Sequence, residues 1–316
     1  MEIIANRWEI RSIWPYMLPI VTHPAYDIPL PEGHRFNATK FSGLMQALGS
    51  QGVLESSTLH HPKPASPDDL TLVHDPSYVA AISQGSLDRK QLRTLGLNWS
   101  TQLRDRSFLS VEGTLEAARL ALAHGVACHA AGGTHHAHAG HGAGFCVFND
   151  LAYTAMRLVA EGAVRQVLIL DCDVHQGDGT ARIALGNGAV FTCSVHCRVN
   201  YPEKKATSDW DIELDEGLSD QGYLSILDQT LAGLRSRLSK VDLVLYDAGV
   251  DVHARDRLGR LKLSYEGILA RDRKVLTHFR SLGIPVATVI GGGYSEDLAE
   301  VSHRHSLIFR AAIETL

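Results

Sequence analysis

Residues 166–178 read QVLILDCDVHQGD, and this stretch carries the clearest indication of both fold and chemistry in the 316-residue chain. Its first six residues form a continuous apolar run that ends in a carboxylate, a pattern typical of a strand buried on both faces of a sheet. Asp171, Asp173 and His175 then lie within five residues at the strand exit. Charged groups there need partners or a metal ion, because burying an unpaired charge is costly. The alternative for this motif alone is a polar loop in which Asp173 caps a helix.

The segments around this motif alternate between strand and helix patterns. Further apolar segments of strand length occur at 125–133, 189–195, 241–247 and 285–290. Helical periodicity and capping residues predict helices at 108–124, 149–161, 219–239, 264–282 and 295–315. Strands that alternate with helices form a parallel sheet with helices on both faces, so we predict a doubly wound α/β domain of three αβα layers. The first hundred residues are rich in proline and are predicted to be mostly loop.

The overall composition is that of an ordinary globular protein. Hydrophobic residues make up 45% of the chain, enough to cover both faces of a sheet, and we expect a single domain over residues 1–316. The net charge is −5 with no basic block, so we do not expect nucleic-acid binding. The five cysteines include no CxxC pair, and the N-terminal residues contain no continuous apolar segment. We therefore expect a cytoplasmic protein without a signal peptide or membrane span.

Polar residues follow four of the predicted strands at the point where each strand ends. Besides the motif at 171–178, these are Thr134-His135-His136, the segment 248–253 with Asp251 and His253, and Gly291-Gly292-Gly293-Tyr294. Open α/β sheets bind their ligands outside the carboxyl ends of the strands. The sequence therefore predicts that these four segments meet at one functional site.

Aspartate and histidine at this edge are suitable ligands for a zinc ion. Asp173 and His175 are close in sequence, and the distant Asp251 would bring the number of protein ligands to three. Three protein ligands leave one coordination position open, as a catalytic zinc requires. The same donor types also bind Fe²⁺ or Co²⁺.

Two neighbouring histidines, His135 and His136, are harder to explain as structural residues. One interpretation is a histidine-rich metal-binding loop that also includes His138 and His141. The other is a pair that divides acid and base roles, with Asp171 and Asp178 as candidates to orient the two rings. The GGGY segment is either a plain strand-to-helix turn or a turn whose tyrosine hydroxyl points at a substrate oxygen.

Taken together, these segments resemble the histone deacetylase family, including its bacterial deacetylase-like and class IV branches. The resemblance rests on four segments in the family's order, GGTHHAHAGHGAGFCVFND (132–150), LILDCDVHQGDGT (168–180), DAGVDVHARDRLGRL (247–261) and GGGY (291–294). HPAYDIPLPEGHRF (23–36) and LVHDPSYV (72–79) are also similar to the bacterial branch. The resemblance implies the arginase/deacetylase fold, an αβα sandwich on a mostly parallel sheet of about eight strands.

The resemblance also implies roles for individual residues. Zinc would be bound by Asp173, His175 and Asp251. His136 would be the base that activates the metal-bound water, with His135 as its partner and possible acid. Asp171 would pair with His135, and Asp178 with His136. Tyr294 would donate a hydrogen bond to the carbonyl oxygen. The acyl channel would be lined by Gly144, Phe145 and Tyr201. A monovalent cation, K⁺ or Na⁺, would lie near Asp171, Asp173, His175, Ser194 and Val195.

The reaction implied is removal of an acyl group, acetyl or longer, from acylated lysine in a peptide or protein. Alternatives are deacylation of polyamines or other small amides, an arginase-type ureohydrolase, and a catalytically idle module that binds acyl-lysine. An arginase would need a second Asp-x-Asp pair, whereas this chain has Asp247 and Asp251 four residues apart. His253 is interpreted as a neighbour of the ligands or a rim residue, and Arg255 as a basic residue near the pocket mouth. The aspartate that holds the peptide backbone in many deacetylases has no identifiable counterpart.

Overall fold

A computed structural model describes residues 17–237 and 240–316. Its centre is one sheet of eight strands in the order β2-β1-β3-β8-β7-β4-β5-β6, and every neighbouring pair is parallel. The strands are β1 (Leu18–Val21), β2 (Ser57–His60), β3 (Val126–His129), β4 (Val167–Asp171), β5 (Val190–Cys197), β6 (Trp210–Leu214), β7 (Leu243–Asp247) and β8 (Val286–Val289). The strand predicted at the start of the 166–178 motif is β4, which is buried along its whole length between β7 and β5.

Helices cover both faces of the sheet. They are α1 (Lys40–Ser50), α2 (Pro67–Leu70), α3 (Pro76–Gln84), α4 (Arg89–Leu95), α5 (Thr101–His124), α6 (Asp150–Ala160), α7 (Asp178–Ala184), α8 (Asp220–Arg237), α9 (Tyr265–Ser281) and α10 (Leu298–Glu314). One layer contains α5, which packs on β1, β3 and β8, together with α6 and α7. The other layer contains α8, α9, α10 and α1, each packed on the next. The predicted three-layer αβα sandwich on a parallel sheet of about eight strands is confirmed.

Capping residues explain where the predicted helices begin. The side chain of Asn149 caps α6, and that of Ser264 caps α9, as the sequence suggested. Helix α5 begins seven residues earlier than predicted, at Thr101, because Ser100 accepts a hydrogen bond from the backbone of Leu103. The predicted end of α8 at residue 239 lies outside the described residues.

The prediction of a loop-rich first hundred residues is wrong for much of the described part. This region contains β1, β2, α1, α3 and α4. Strand β1 is only four residues long and contains Pro19, which conceals its apolar pattern; β3 pairs only with the two residues after that proline. Strand β6 was also not predicted, because it lies at the edge of the sheet and only one of its five residues is buried. The predicted loop at residues 1–16 lies outside the described residues.

The four strands that carry polar residues at their ends are neighbours in the centre of the sheet, in the order β3-β8-β7-β4. Because all of them are parallel, their carboxyl ends lie at one edge. Within residues 17–237 and 240–316, no helix combines the length and apolar character that crossing a membrane requires.

Candidate metal centre and catalytic site

The three residues predicted to bind zinc lie together at the ends of β4 and β7. The His175 Nδ1 atom is 3.0 Å from Asp173 Oδ1 and 3.0 Å from Asp251 Oδ2. All three side chains are buried, and their donor atoms form a compact group that could hold a metal ion. Donors at this separation can share one ion at about 2.0–2.2 Å, the usual distance from zinc to nitrogen or carboxylate oxygen.

The electrostatics of this group also fit a cation. Burial alone would lower the pKa of His175, but hydrogen bonds to Asp173 and Asp251 raise it to about 10. Burial raises the pKa of Asp251 to about 7, and the charge of Asp173 adds to the effect. Two carboxylates therefore compete for one positive charge inside the protein. A divalent ion bound by these residues would neutralise both.

The two neighbouring histidines each have a carboxylate partner at the back of the site. His135 Nδ1 is 2.7 Å from Asp171 Oδ2, and His136 Nδ1 is 2.7 Å from Asp178 Oδ1. The two rings are in contact, with centroids 4.1 Å apart. Each ring is therefore oriented by a different carboxylate.

The proton affinities of the two histidines are driven in opposite directions. Burial opposes protonation of His135, but the charges of Asp171 and Asp173 outweigh it and raise its pKa well above the usual value. Burial, together with the adjacent His135 charge, lowers the pKa of His136 to about 3. The pair is thus one cationic and one neutral imidazole, an arrangement that separates acid from base.

The other two histidines of this loop form a separate pair. His138 stacks on His141 with centroids 4.4 Å apart, and its Nε2 atom is 3.1 Å from Asp178 Oδ2. Among the described residues, neither belongs to a group of three side chains that could hold a metal. The structure therefore gives the histidine-rich metal loop no third ligand, but it does connect His138 to the carboxylate that orients His136.

A cavity of about 410 Å³ opens onto the site. His136, His175 and Tyr294 line it, and so do the three residues predicted for the acyl channel, Gly144, Phe145 and Tyr201. The Tyr201 ring meets His136 edge-on at 4.8 Å, and Phe145 lies 6.1 Å from Tyr294 between ring centroids. Phe145 has a φ of 67°, which is unusual for a residue with a side chain and fixes its ring at the cavity wall.

Glycines are required in the turn before Tyr294. A Cβ atom at Gly292, where φ is 58°, would lie 2.3 Å from the Asp251 carboxyl carbon. The turn is held by Lys40, which is buried and donates from Nζ to the Gly292 carbonyl oxygen at 2.5 Å. The backbone N–H of Tyr294 donates to Asp256 Oδ2 at 2.8 Å.

Several residues that shape the site were not found from the sequence. Lys40 and Asp256 support the glycine turn, as described above. Arg271 on α9 is fully buried and donates from Nη1 to the carbonyl oxygens of Cys172 (3.1 Å) and Gly249 (2.6 Å). The adjacent charged pair Arg271-Asp272 in an otherwise apolar helix face was the available signal.

A further buried carboxylate, Asp247, lies behind the histidine pair. It ends β7, is fully buried, and neither of its oxygens has a hydrogen-bond partner among the described residues. Its Oδ2 atom is 3.9 Å from His135 Nδ1. His135, Asp171 and Asp247 form a second group with metal-ligand spacing.

The residues predicted for a monovalent cation lie at the end of β4, in the loop that follows it, and within the neighbouring strand β5. Asp171 and Ser194 are register partners on these strands, and Val195 is the next residue along β5. The Ser194 hydroxyl is 3.0 Å from His196 Nδ1. Asp173 and His175 follow Asp171 in the adjoining loop.

His253 and Arg255 do not line the cavity. His253 is buried against Tyr265, and Arg255 pairs with Glu300 at 2.9 Å. Arg255, predicted to lie near the pocket mouth, is held by Glu300 and by the Tyr265 hydroxyl and is not among the residues that line the cavity. The basic residues that line the cavity are Arg35, Arg93 and Arg260.

Comparison with known proteins gives consistent results. The family sequence model of the histone deacetylase domain matches residues 34–308 of this chain. An uncharacterized protein of Picosynechococcus is 48% identical over 294 residues, which span 93% of this chain and 98% of that protein. Histone deacetylase 2 of Arabidopsis thaliana is 30% identical over 294 residues, covering 89% of this chain and 76% of that protein. Among solved structures, the HD domain of HDA15 has the same fold, with a TM-score of 0.78 at 19% identity over 95% of this chain and 89% of that chain.

Proposed function

The chain belongs to the histone deacetylase family, and from this premise we propose that it is a zinc-dependent amidohydrolase that removes an acyl group from acylated lysine. The observation that carries the proposal is the group Asp173, His175 and Asp251 at the base of a cavity that His136 and Tyr294 also line. Family membership supports deacetylase activity in general. The identity of the metal, the acylated amine and the roles below belong to the proposal, as does a single catalytic domain over residues 1–316.

A Zn²⁺ ion bound by these three residues would act as a Lewis acid that lowers the pKa of water and polarises the substrate carbonyl. The same donors would also accept Fe²⁺ or Co²⁺. We further propose that a K⁺ or Na⁺ ion binds near Asp171 and Ser194. There it would stabilise the loop after β4, which carries Asp173 and His175.

His136 is proposed as the general base. Its Nδ1 atom is engaged by Asp178, which leaves Nε2 available on a residue that lines the cavity. Burial and the neighbouring His135 lower its pKa, so the ring is neutral, and a neutral Nε2 has the lone pair that is needed to accept a proton from the attacking water. Returning that proton to the leaving nitrogen regenerates the neutral ring.

His135 is proposed as the partner that remains protonated and as a candidate acid, because Asp171 and Asp173 stabilise its charge. Tyr294 is proposed to donate a hydrogen bond to the carbonyl oxygen as that oxygen gains negative charge. Burial, reinforced by Asp251 and Asp173, raises the pKa of the Tyr294 phenol well above its usual value, so the hydroxyl keeps its proton. Such a donor stabilises the transition state more than the bound substrate.

One observation favours a second candidate, a two-metal hydrolase of the arginase type. His135, Asp171 and Asp247 could supply a second site, and Asp247 lacks a partner in the part of the chain that is described. Against it, the end of β7 supplies Asp247 and Asp251 four residues apart, and not the second Asp-x-Asp pair that an arginase would need. The number of metal ions per chain separates the two candidates.

The test combines turnover with metal analysis. The purified chain should hydrolyse a fluorogenic acetyl-lysine peptide with about one divalent ion per chain, and a hydroxamate should inhibit at one molecule per chain. Asp251→Ala should lose the ion and the activity, whereas Asp215→Ala, which removes a carboxylate that is 73% exposed, should retain both. Full metal occupancy in Asp251→Ala, or two ions per wild-type chain, would contradict the assignment.

A further inference from the structure

The mouth of the cavity has an unusual charge distribution. Three arginines line the cavity, Arg35, Arg93 and Arg260, and no lining residue carries a carboxylate. They come from three separate segments, namely the loop before α1, the last turn of α4 and the loop after β7. Arg89, one turn before Arg93 on α4, lines an adjoining depression together with Arg93. The positive charge is local, since the whole chain has a net charge of −5.

Two of these arginines are available to a ligand. Arg260 is engaged by Glu216, with 2.9 Å between the guanidinium and the carboxylate. Arg35 and Arg93 are exposed, and across residues 17–237 and 240–316 neither has an acidic partner within 4.0 Å. Arginine presents planar, paired N–H donors that match a carboxylate.

We propose that this mouth selects acylated lysines that carry a carboxylate close to the acylated side chain. The inference rests on the proposed function and narrows its substrate class. An acyl-lysine inserted into the cavity leaves its main chain at the mouth, where Arg35 and Arg93 would pair with its carboxylates. Acylated polyamines are disfavoured, because their remaining ammonium groups would face arginines with no carboxylate among the lining residues to hold them.

The carboxylate has two sources with the same chemistry. It is either the α-carboxylate of free acyl-lysine or a side-chain carboxylate of an aspartate or glutamate next to acyl-lysine in a peptide. Neither would meet a like charge, because no acidic residue is among those that line the cavity.

The expected effect falls on binding rather than on the chemical step. An exposed charge pair is worth only about 0.2–1 kcal/mol, which corresponds to roughly 1.4- to 5-fold per arginine. Several like charges around one opening also steer oppositely charged ligands, and salt screens this attraction. The preference should therefore appear mainly in KM and should weaken as the ionic strength rises.

The experiment compares kcat/KM for acetyl-lysine peptides of equal length flanked by glutamate, glutamine or lysine, for free Nε-acetyl-lysine and its carboxamide, and for acetylated spermidine. At about 0.02 M salt we expect the glutamate peptide to exceed the lysine peptide by about 10-fold, and this ratio to fall several-fold at about 0.5 M salt. Preference for acetyl-lysine over its carboxamide would identify the α-carboxylate as the source. Preference confined to the glutamate peptide would identify a peptide substrate.

A charge-reversal variant, Arg35→Glu/Arg93→Glu, should reverse the order of the glutamate and lysine peptides. A second variant, Arg35→Gln/Arg93→Gln, should abolish the preference for the glutamate peptide. This neutral variant still tests the inference if the reversed charges of the first variant destabilise α4. The control is Arg165→Glu, which also reverses an arginine charge. Arg165 is 78% exposed and lies just before β4, at the amino edge of the sheet. This variant should have the peptide preference of the wild type.

The inference would be overturned, with deacylase activity left in place, if acidic and basic peptides had equal kcat/KM and acetyl-lysine and its carboxamide did as well. A preference for acetylated spermidine, or a reversal in Arg165→Glu as large as in the double variant, would also overturn it. Failure to hydrolyse any acyl substrate would overturn the proposed function and this inference with it.

Discussion

Replacing Arg271 with leucine should lower the free energy of unfolding by about 3–5 kcal/mol, the range for removing one partner of a buried ion pair. The Arg271 guanidinium is fully buried and donates to Asp272 Oδ1 at 2.9 Å, as well as to the carbonyl oxygens of Cys172 and Gly249. The substitution leaves the buried Asp272 carboxylate without its counter-charge. The two carbonyls lose a donor, at about 1–3 kcal/mol for each group left unsatisfied. These costs overlap, so we take the ion-pair range as the total.

The same substitution should weaken metal binding. Cys172 lies between Asp171 and Asp173, and Gly249 lies two residues before Asp251. One guanidinium therefore ties the loop after β4 to the loop after β7, and these loops carry the ligands. Groups that orient metal ligands typically change affinity by about 10- to 100-fold when they are removed.

The assay is urea unfolding of metal-free protein, combined with competition for Zn²⁺ against a chelator. Arg273→Leu is the matched control on the same helix, because Arg273 is 47% exposed and pairs only at the surface with Glu314, so its loss should cost less than about 1 kcal/mol. Arg271→Lys keeps the charge and should be intermediate. Arg271→Leu combined with Asp272→Leu should recover part of the stability, since it removes both charges. An Arg271→Leu variant within 1 kcal/mol of Arg273→Leu, with unchanged zinc affinity, would refute the reasoning.

Three other predictions concern the site and its surroundings. Tyr294→Phe should lower kcat by about 10²–10³-fold, with KM and metal content nearly unchanged, because one oxyanion donor is lost; steady-state kinetics within threefold of wild type, with chemistry rate-limiting, would contradict this role. His136→Ala should keep its metal and lose far more activity than His138→Ala, because both contact Asp178 but only His136 lines the cavity; equal losses in the two variants would favour a shared role. Burial, with nearby Arg106, lowers the pKa of His129 to about 3, so this imidazole is neutral in the folded state and takes up a proton on unfolding. The free energy of unfolding should therefore fall by roughly 1.4 kcal/mol per pH unit from this group as the pH drops below about 6.5. Urea titrations between pH 6.5 and 5 should show a slope smaller by that amount in His129→Gln, and an identical slope would argue against a neutral buried ring.

The parts of the fold that the sequence predicted well are those in which pattern and burial coincide. Strand β4 is an uninterrupted apolar run because helices cover both faces of the sheet, and its exit motif therefore stands out. Strand β1 is as completely buried, but its four residues include Pro19, and no window of that length distinguishes it from a loop. Edge strand β6 alternates apolar and polar residues over 210–214, but only one of its five residues is buried and the pattern is too short to distinguish it from the surrounding loop.

The candidate site also contains residues that the sequence could predict and residues that only the structure reveals. Ligand and base candidates follow strand ends in short motifs, so their chemistry could be inferred from residue type and position. Lys40 and Arg271 are cations on helices, where most such residues face solvent. Only the packing of α1 and α9 shows that these two are buried against the loops of the metal centre. The arginines of the mouth come from segments that are far apart in sequence, and no local motif connects them.

The order of the strands has a consequence for biosynthesis. Strand β8 is the last to be translated, yet it lies between β3 and β7 at the middle of the sheet. A nascent chain that has not yet released residues 286–289 from the ribosome can form only two separate half-sheets, β2-β1-β3 and β7-β4-β5-β6. The histidine pair follows the first half-sheet, and the metal ligands follow the second. The histidine pair and the metal ligands therefore come together only after β8 is inserted, and until then each half-sheet exposes a strand edge that is open to unintended pairing.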